Sequence, residues 1–266
     1  MIEKQFGIEI DPTWQKVPGN DAVFKAGVRL ALARILQSDS GKVLARSLRY
    51  HKKTILLQPY EEGDCNAKEW WWGNSAKDNY SVVRFGNDAR GRSACAETIK
   101  KKKPGSLPQE VLFHELVHSL RRMSGQLHNW NLKSGYGNNE EFTAILVTNI
   151  FISDVKNPVK SGLRADWVSH SALDPKLADS FRFFAGGTKI FNLIATFCDE
   201  NAGFTKLLSR VRARFNPIAA YYRDRRKAFE MAAQGDSENY FDHMTPLDYV
   251  ENPSGAWTRI RPFPQP

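Results

Sequence analysis

Apolar and polar positions along the chain change their period part-way. Over Lys4–Ile10 they alternate, the period of a half-buried strand, and the run stops at Asp11-Pro12. Asn20-Asp21 then offer caps, and Val23, Phe24, Val28, Ala31, Leu32 and Ile35 recur at helical spacing to about Gln37. Ser38-Asp39-Ser40-Gly41 reads as a break, with a short helix over Lys42–Tyr50 and a strand over Thr54–Gln58 beyond it. Glu61–Asn79 is loop-like and holds Trp70, Trp71 and Trp72. Adjacent side chains cannot all face one core, so at least one of the three is expected to be exposed or to pack under the loop. Covering a thin core is their expected role, ahead of lining a substrate groove. Tyr80–Phe85 predicts a further strand.

Beyond Ser106 the period becomes helical. Ser106-Leu107-Pro108-Gln109 has the form of a capping box with proline in the first turn. Helices are predicted over Ser106–Met123, Asn138–Ser153, Pro175–Phe184, Thr188–Cys198, Phe204–Phe215 and Ala219–Ala233. Strands first and helices later predict an α+β fold, a small N-terminal antiparallel sheet packed on a mostly helical C-terminal half. One domain is expected over 1–250. The remainder, 251–266, carries four prolines (Pro253, Pro262, Pro264 and Pro266) and reads as an extended tail.

Composition narrows the class. The 266 residues are 41% hydrophobic and 12% aromatic, which excludes disorder as the dominant state. No run approaches the roughly 18 continuous apolar residues of a membrane span. The start, MIEKQFGIEI, lacks an apolar h-region, so no secretory signal peptide is expected. Cys65, Cys95 and Cys198 are too few and too scattered for a disulfide framework or a zinc ribbon and read as inert small hydrophobes made in a reducing cytoplasm. The balance of 38 basic against 29 acidic residues gives a net charge of +9. Such a surface invites nucleic acid, anionic membrane or an acidic partner. The one dense run, Lys100 to Lys103, ends at Pro104-Gly105 and reads as a solvated loop, because no nucleic-acid-binding motif accompanies it.

Chemistry concentrates at His114-Glu115-Leu116-Val117-His118, an H-E-x-x-H pattern inside the capped helix. Residues i and i+4 share a helix face about 6 Å apart along the axis, so two imidazoles can converge on one ion. Glu115, rotated by about 100°, is placed to hold the water of that ion. Phe113, Leu116, Val117 and Leu120 give the helix an apolar back. With six His in the chain, chance would place this pattern somewhere with a probability of only about one per cent. The ordinary alternative, two surface histidines beside an unrelated glutamate, does not account for that apolar back. A catalytic zinc ion is therefore expected, and it needs a third protein ligand and an open position.

The third ligand is less directly legible. A metzincin would carry histidine at 124 and glycine at 121, where this chain has Ser124 and Arg121. His128 lies in the turn after the helix and is one candidate. The helix opening Asn138-Asn139-Glu140-Glu141-Phe142 is a better source, since two carboxylates begin an otherwise apolar stretch. Capping of the helix dipole explains one acid there more readily than two.

His114-Glu115-Leu116-Val117-His118-Ser119-Leu120, followed by Glu140-Glu141-Phe142-Thr143-Ala144-Ile145-Leu146-Val147-Thr148-Asn149-Ile150, resembles the bacterial secreted effector metallopeptidases. These include the NleD-like type III effectors and the metallopeptidase domains at the ends of type VI VgrG spike proteins. The resemblance runs over about Val111–Ser153, and more weakly over the first strand and helix and over Phe215-Asn216-Pro217. It implies a zincin-like metallopeptidase fold, with one zinc ion held by His114, His118 and a glutamate, and with Glu115 as catalytic base. The matching positions point to Glu141, directly before Phe142. The chain departs from the thermolysin-like Asn-Glu-x-x-x-Asp pattern, because Ala144 stands where the aspartate would. Glu140 therefore stays open as the ligand, and the partner of the histidines is unassigned. Zincins often add a Tyr or His donor for the oxyanion. Tyr136, His170, Tyr222 and His243 are candidates, while His51, beside Lys52-Lys53, reads as a surface residue.

Peptide-bond hydrolysis by a zinc-activated water is the function so implied, in an effector or toxin made in the cytoplasm and delivered into a target cell by a dedicated secretion system. The expected partners are a protein or peptide substrate, with a secretion apparatus, chaperone or immunity protein besides. Two readings compete: a zinc amidase or peptidase acting on peptidoglycan, and a basic, non-catalytic protein that binds nucleic acid or a partner.

Overall fold

Gly7, in the left-handed region at φ 71°, divides the first alternating segment. A 3-10 turn over Ile2–Gln5 precedes it, with Phe6 N–H donating to Glu3 O, and only Ile8–Ile10 forms a strand, β1. The structure, a computed structural model, describes residues 2–12, 21–59, 67–70, 80–86, 107–127, 138–158, 188–223, 249–251 and 257–259. These form two compact units. One comprises Met1–Leu127, Ala144–Ala165 and Arg212–Arg214, the other His128–Thr143, Asp166–Val211 and Phe215–Pro266.

The first unit holds β1, α1 (Asp21–Gln37), α2 (Asp39–Tyr50), β2 (Thr54–Pro59), β3 (Ala67–Trp70), β4 (Tyr80–Phe85) and α3 (Pro108–Met123). The sheet runs in the order β1-β2-β4-β3. β1, β2 and β4 are mutually parallel, with Ile8 opposite Ile55 and Leu57 opposite Val83, and only the edge strand β3 runs antiparallel, with Glu69 opposite Val83. The antiparallel sheet expected from sequence is thus corrected. Its direction is set by the connection: β1 reaches β2 through two helices, the kind of crossover that parallel strands require. Consecutive residues Val82, Val83, Arg84 and Phe85 are all buried, so both faces of β4 are covered, as parallel strands demand. β3 lies within the segment expected to be loop, and it includes Trp70; Trp71 and Trp72 lie outside the described residues.

The corner between α1 and α2 is not a break. Ser38 caps α2, accepting from Gly41 N–H at 2.9 Å and donating its hydroxyl to Ile35 O at 2.8 Å. Asp39, Ser40 and Gly41 then form the first turn of the helix. Ser40 is tied to Asp154, whose Oδ2 accepts from the Ser40 amide at 2.9 Å and the Ser40 hydroxyl at 2.8 Å. Both residues are fully buried, so this bond carries no competition from water.

α3 starts at Pro108, one of the few places where the missing proline N–H costs nothing. Its cap is Leu107, whose N–H donates to the Glu110 carboxylate at 3.3 Å, so the reciprocal half of the box is present one residue later than expected. Ser106 lies outside the described residues. The helix packs on β3, β4, α1 and α2, with Ser119 Oγ 3.1 Å from Ser81 Oγ of β4.

α4 (Asn139–Ser153) matches its expected span, and Asn138 Oδ1 accepts from Glu141 N–H at 2.8 Å. In the second unit, α5 (Thr188–Glu200) and α6 (Ala202–Leu208) precede a helical stretch over 217–223. α6 is shorter than expected because Asn216 gathers the chain after it. Its amide donates to Leu208 O and Val211 O, and its carbonyl accepts from Ala219 N–H. β5 (Tyr249–Glu251) and β6 (Trp257–Arg259) pair antiparallel, the latter within the stretch expected to be an extended tail. The helix expected over Pro175–Phe184 lies outside the described residues. Among the described residues, no helix is long and apolar enough to cross a membrane.

Candidate metal centre

The H-E-x-x-H residues sit on the middle turns of α3, where every position from Leu112 to Arg121 is buried. Phe113, Leu116 and Val117 are fully enclosed, so the helix is fixed by its apolar back and cannot roll. His114 and His118 project from one face, their rings edge-to-face with centroids 4.8 Å apart. Their Nε2 atoms approach to 3.2 Å. Glu115 is buried on the adjoining face.

α4 supplies the third donor. His114, His118 and Glu141 each offer one ligand atom, and these atoms all lie within 4.8 Å of one another. The two histidines are buried and Glu141 is half-buried, a group that could hold a metal ion. Glu140 is buried and is not among the three. The helical period explains the difference. Glu141, Ala144, Thr148 and Phe151 stand at i, i+3, i+7 and i+10 and line one stripe of α4, whereas Glu140 is rotated off it by about 100°.

That stripe carries two further links to α3. Thr148 Oγ1 lies 3.5 Å from His114 Nδ1, and Phe151 stacks on Phe113. Neither is apparent from motif spacing. The i+7 relation between Glu141 and Thr148 is the signal that would have found the threonine.

The other candidates are placed elsewhere or not at all. Tyr222 donates or accepts a 2.8 Å bond with Thr205 Oγ1, and its hydroxyl is 3.5 Å from Cys198 O, so it belongs to the packing of α5 and α6. Cys198 is fully buried, as an inert small hydrophobe would be. His51 is half-buried at the end of α2, where burial, and then the charge of Lys53, holds its pKa below the usual histidine value. His128, Tyr136, His170, His243, Cys65, Cys95 and Lys100 to Lys103 lie outside the described residues.

A family model described as an effector protein, Peptidase M91, matches residues 12–171, more than half of the chain and the whole of both site helices. The chain belongs to the Peptidase M91 family. No curated protein and no solved structure matches it. The M91 match contains every residue of the His114, His118 and Glu141 group, so the family and the geometry point to the same part of the chain.

Proposed function

We propose that this member of the Peptidase M91 effector family is a zinc-dependent metallopeptidase with a zincin-like fold, in which His114, His118 and Glu141 hold the ion and Glu115 is the general base. The observation that carries the proposal is the convergence of two buried imidazoles and one carboxylate, with a second carboxylate, Glu115, buried on the same helix as the histidines and outside that group. The donor set fits zinc, which favours imidazole nitrogen and carboxylate oxygen. Two nitrogens at about 2.0–2.1 Å from a tetrahedral centre stand about 3.3 Å apart, close to the Nε2 separation found here. When bound, zinc supplies Lewis acidity for the water and for the scissile carbonyl.

The chain's own residues do the rest. Glu115, next to a ligand but on the adjoining face, is placed to take a proton from water and hand it to the leaving amine. Burial of the α3 histidines keeps bulk water from competing for their lone pairs. Among the described residues β3 is the edge strand of the sheet and packs beside α3, and an edge strand can take an extended peptide as a further strand. This supports a protein or peptide as substrate. Membership of an effector family supports delivery into a target cell as the setting.

The test is metal content. The purified protein is expected to hold about one zinc per chain by elemental analysis, and His118→Ala to lose most of it, since two remaining ligands do not sustain a stable site. Stoichiometric zinc retained by His118→Ala would overturn the assignment.

A further inference from the structure

We infer that Thr148 is a positioning residue that holds the His114 ring with its proton on Nδ1 and its bare Nε2 toward the metal. The inference rests on the metallopeptidase reading for its purpose, but its physical content is the placement of one proton.

A hydroxyl has a single hydrogen to give. Thr148 Oγ1 donates it to Ala144 O, one turn back on α4, at 2.7 Å. The oxygen therefore faces His114 Nδ1 with its lone pairs, at 3.5 Å, and can be satisfied there only by an Nδ1–H donor. Thr148 is fully buried and His114 nearly so, which makes an unmatched pair at this contact costly. In a neutral imidazole a proton on Nδ1 leaves Nε2 bare. Nε2 is the atom that lies 3.2 Å from His118 Nε2. The opposite tautomer has a competing attraction, because His114 Nε2–H can donate to His118 Nε2 across that short gap. Such a bond would have to break before an ion could enter. Thr148 biases the ring away from it.

The position of Ala144 gives this arrangement its sense. Ala144 stands one turn before Thr148 and offers it a backbone carbonyl, with no polar side chain of its own. The carbonyl orients a hydroxyl one turn further on, and the hydroxyl meets the imidazole. A ligand histidine ordinarily gives its second ring N–H to an oxygen of this kind, and loss of such a partner weakens metal binding by about 10–100-fold.

The experiment compares the wild type with Thr148→Val, which keeps the shape and removes the hydroxyl, and with Thr148→Ser, which keeps the hydroxyl. Ring ¹H–¹⁵N correlations of the metal-free, ¹⁵N-labelled proteins read the tautomer of His114. Competition with a chromophoric chelator reads zinc affinity. The expected result is Nδ1–H in the wild type and in Thr148→Ser, Nε2–H in Thr148→Val, and a zinc dissociation constant raised about 10–100-fold in Thr148→Val and restored by serine. An Nε2–H tautomer in the metal-free wild type, or equal zinc affinity in wild type and Thr148→Val, overturns the inference. Thr148→Ala takes the place of the valine variant if that one does not fold. Should the wild type bind no zinc at all, the metallopeptidase reading falls and the ring correlations alone decide. A tautomer that switches on loss of the hydroxyl then supports the positioning role, and one that does not switch overturns it.

Discussion

Phe113 and Phe151 stack nearly parallel, their ring centroids 4.3 Å apart with 10° between the planes. Phe113 directly precedes His114 on α3, and Phe151 ends the α4 stripe that begins at Glu141. The pair therefore clamps the two helices that bring the donors together, and neither ring has any exposure. Removing one ring forfeits its burial and leaves a cavity, at a cost of about 3–5 kcal/mol. Phe151→Ala is expected to lower the melting midpoint by roughly 10 °C and to weaken zinc binding, because α4 loses its registration on α3. Thermal unfolding followed by circular dichroism, with and without zinc, checks both. A melting curve that matches the wild type would show that the stack does not join the helices.

Gly41 makes a second demand on the packing. A Cβ built there would lie 1.9 Å from Ile35 O and 2.6 Å from Ile35 C, both backbone atoms of the preceding helix. The neighbour cannot rotate away as a side chain would. Gly41→Ala is expected to cost about 3 kcal/mol, the upper end for overpacking, or more. Unfolding in urea, monitored by tryptophan fluorescence, gives the measurement, and a midpoint unmoved by the substitution would refute the close approach.

Gly41 also shows how local pattern and tertiary packing diverge. In the sequence, Ser38-Asp39-Ser40-Gly41 has the composition of a breaker, and the helix is expected to resume at Lys42. In the fold, the same serine is a cap and the glycine is there because α1 passes close by. The span of α1 was legible from apolar spacing, since long periodic segments announce themselves, and that of α4 from the Asn and Glu residues that open an almost unbroken apolar run. The direction of the sheet was not, because a strand's own residues do not say whether its partner returns by a hairpin or through α1 and α2. The run Ser81-Val82-Val83-Arg84-Phe85 lacks alternation, and that was the available clue. For the site, H-E-x-x-H placed His114, Glu115 and His118 on one helix. The grouping of Glu141 with them, and the contact of Thr148 with His114, depend on how α4 is rotated against α3. That rotation is set by contacts such as Phe113 on Phe151.

The rotation of α4 also ranks its two acids. Glu141 shares the stripe that faces the histidines, while Glu140 is off it and buried. Glu141→Ala is expected to weaken zinc binding by well over tenfold, as loss of a ligand should at least match the 10–100-fold cost of losing a ligand's outer partner. Glu140→Ala is expected to leave the affinity close to that of the wild type. A chelator competition series across the two variants decides, and the reverse order would move the ligand to Glu140.

Under the proposed mechanism, Glu115 separates catalysis from metal holding. It is buried on the ligand helix but is not among the three grouped donors, so a base there can be neutralised without emptying the site. Glu115→Gln keeps the shape of the side chain and removes its capacity to take a proton at neutral pH. Loss of a general base typically costs about 10²–10⁴ in rate. The expected outcome is a folded protein with its zinc in place, and a collapse of peptide hydrolysis or of toxicity when the protein is expressed in a sensitive cell. A structural zinc site would tolerate the change, because nothing in its function passes through a proton on Glu115. A Glu115→Gln protein that binds zinc, folds normally and stays fully toxic would therefore remove the peptidase reading. The net positive charge would then be the feature to pursue, beginning with neutral substitutions at Lys100 to Lys103 and a measurement of partner binding.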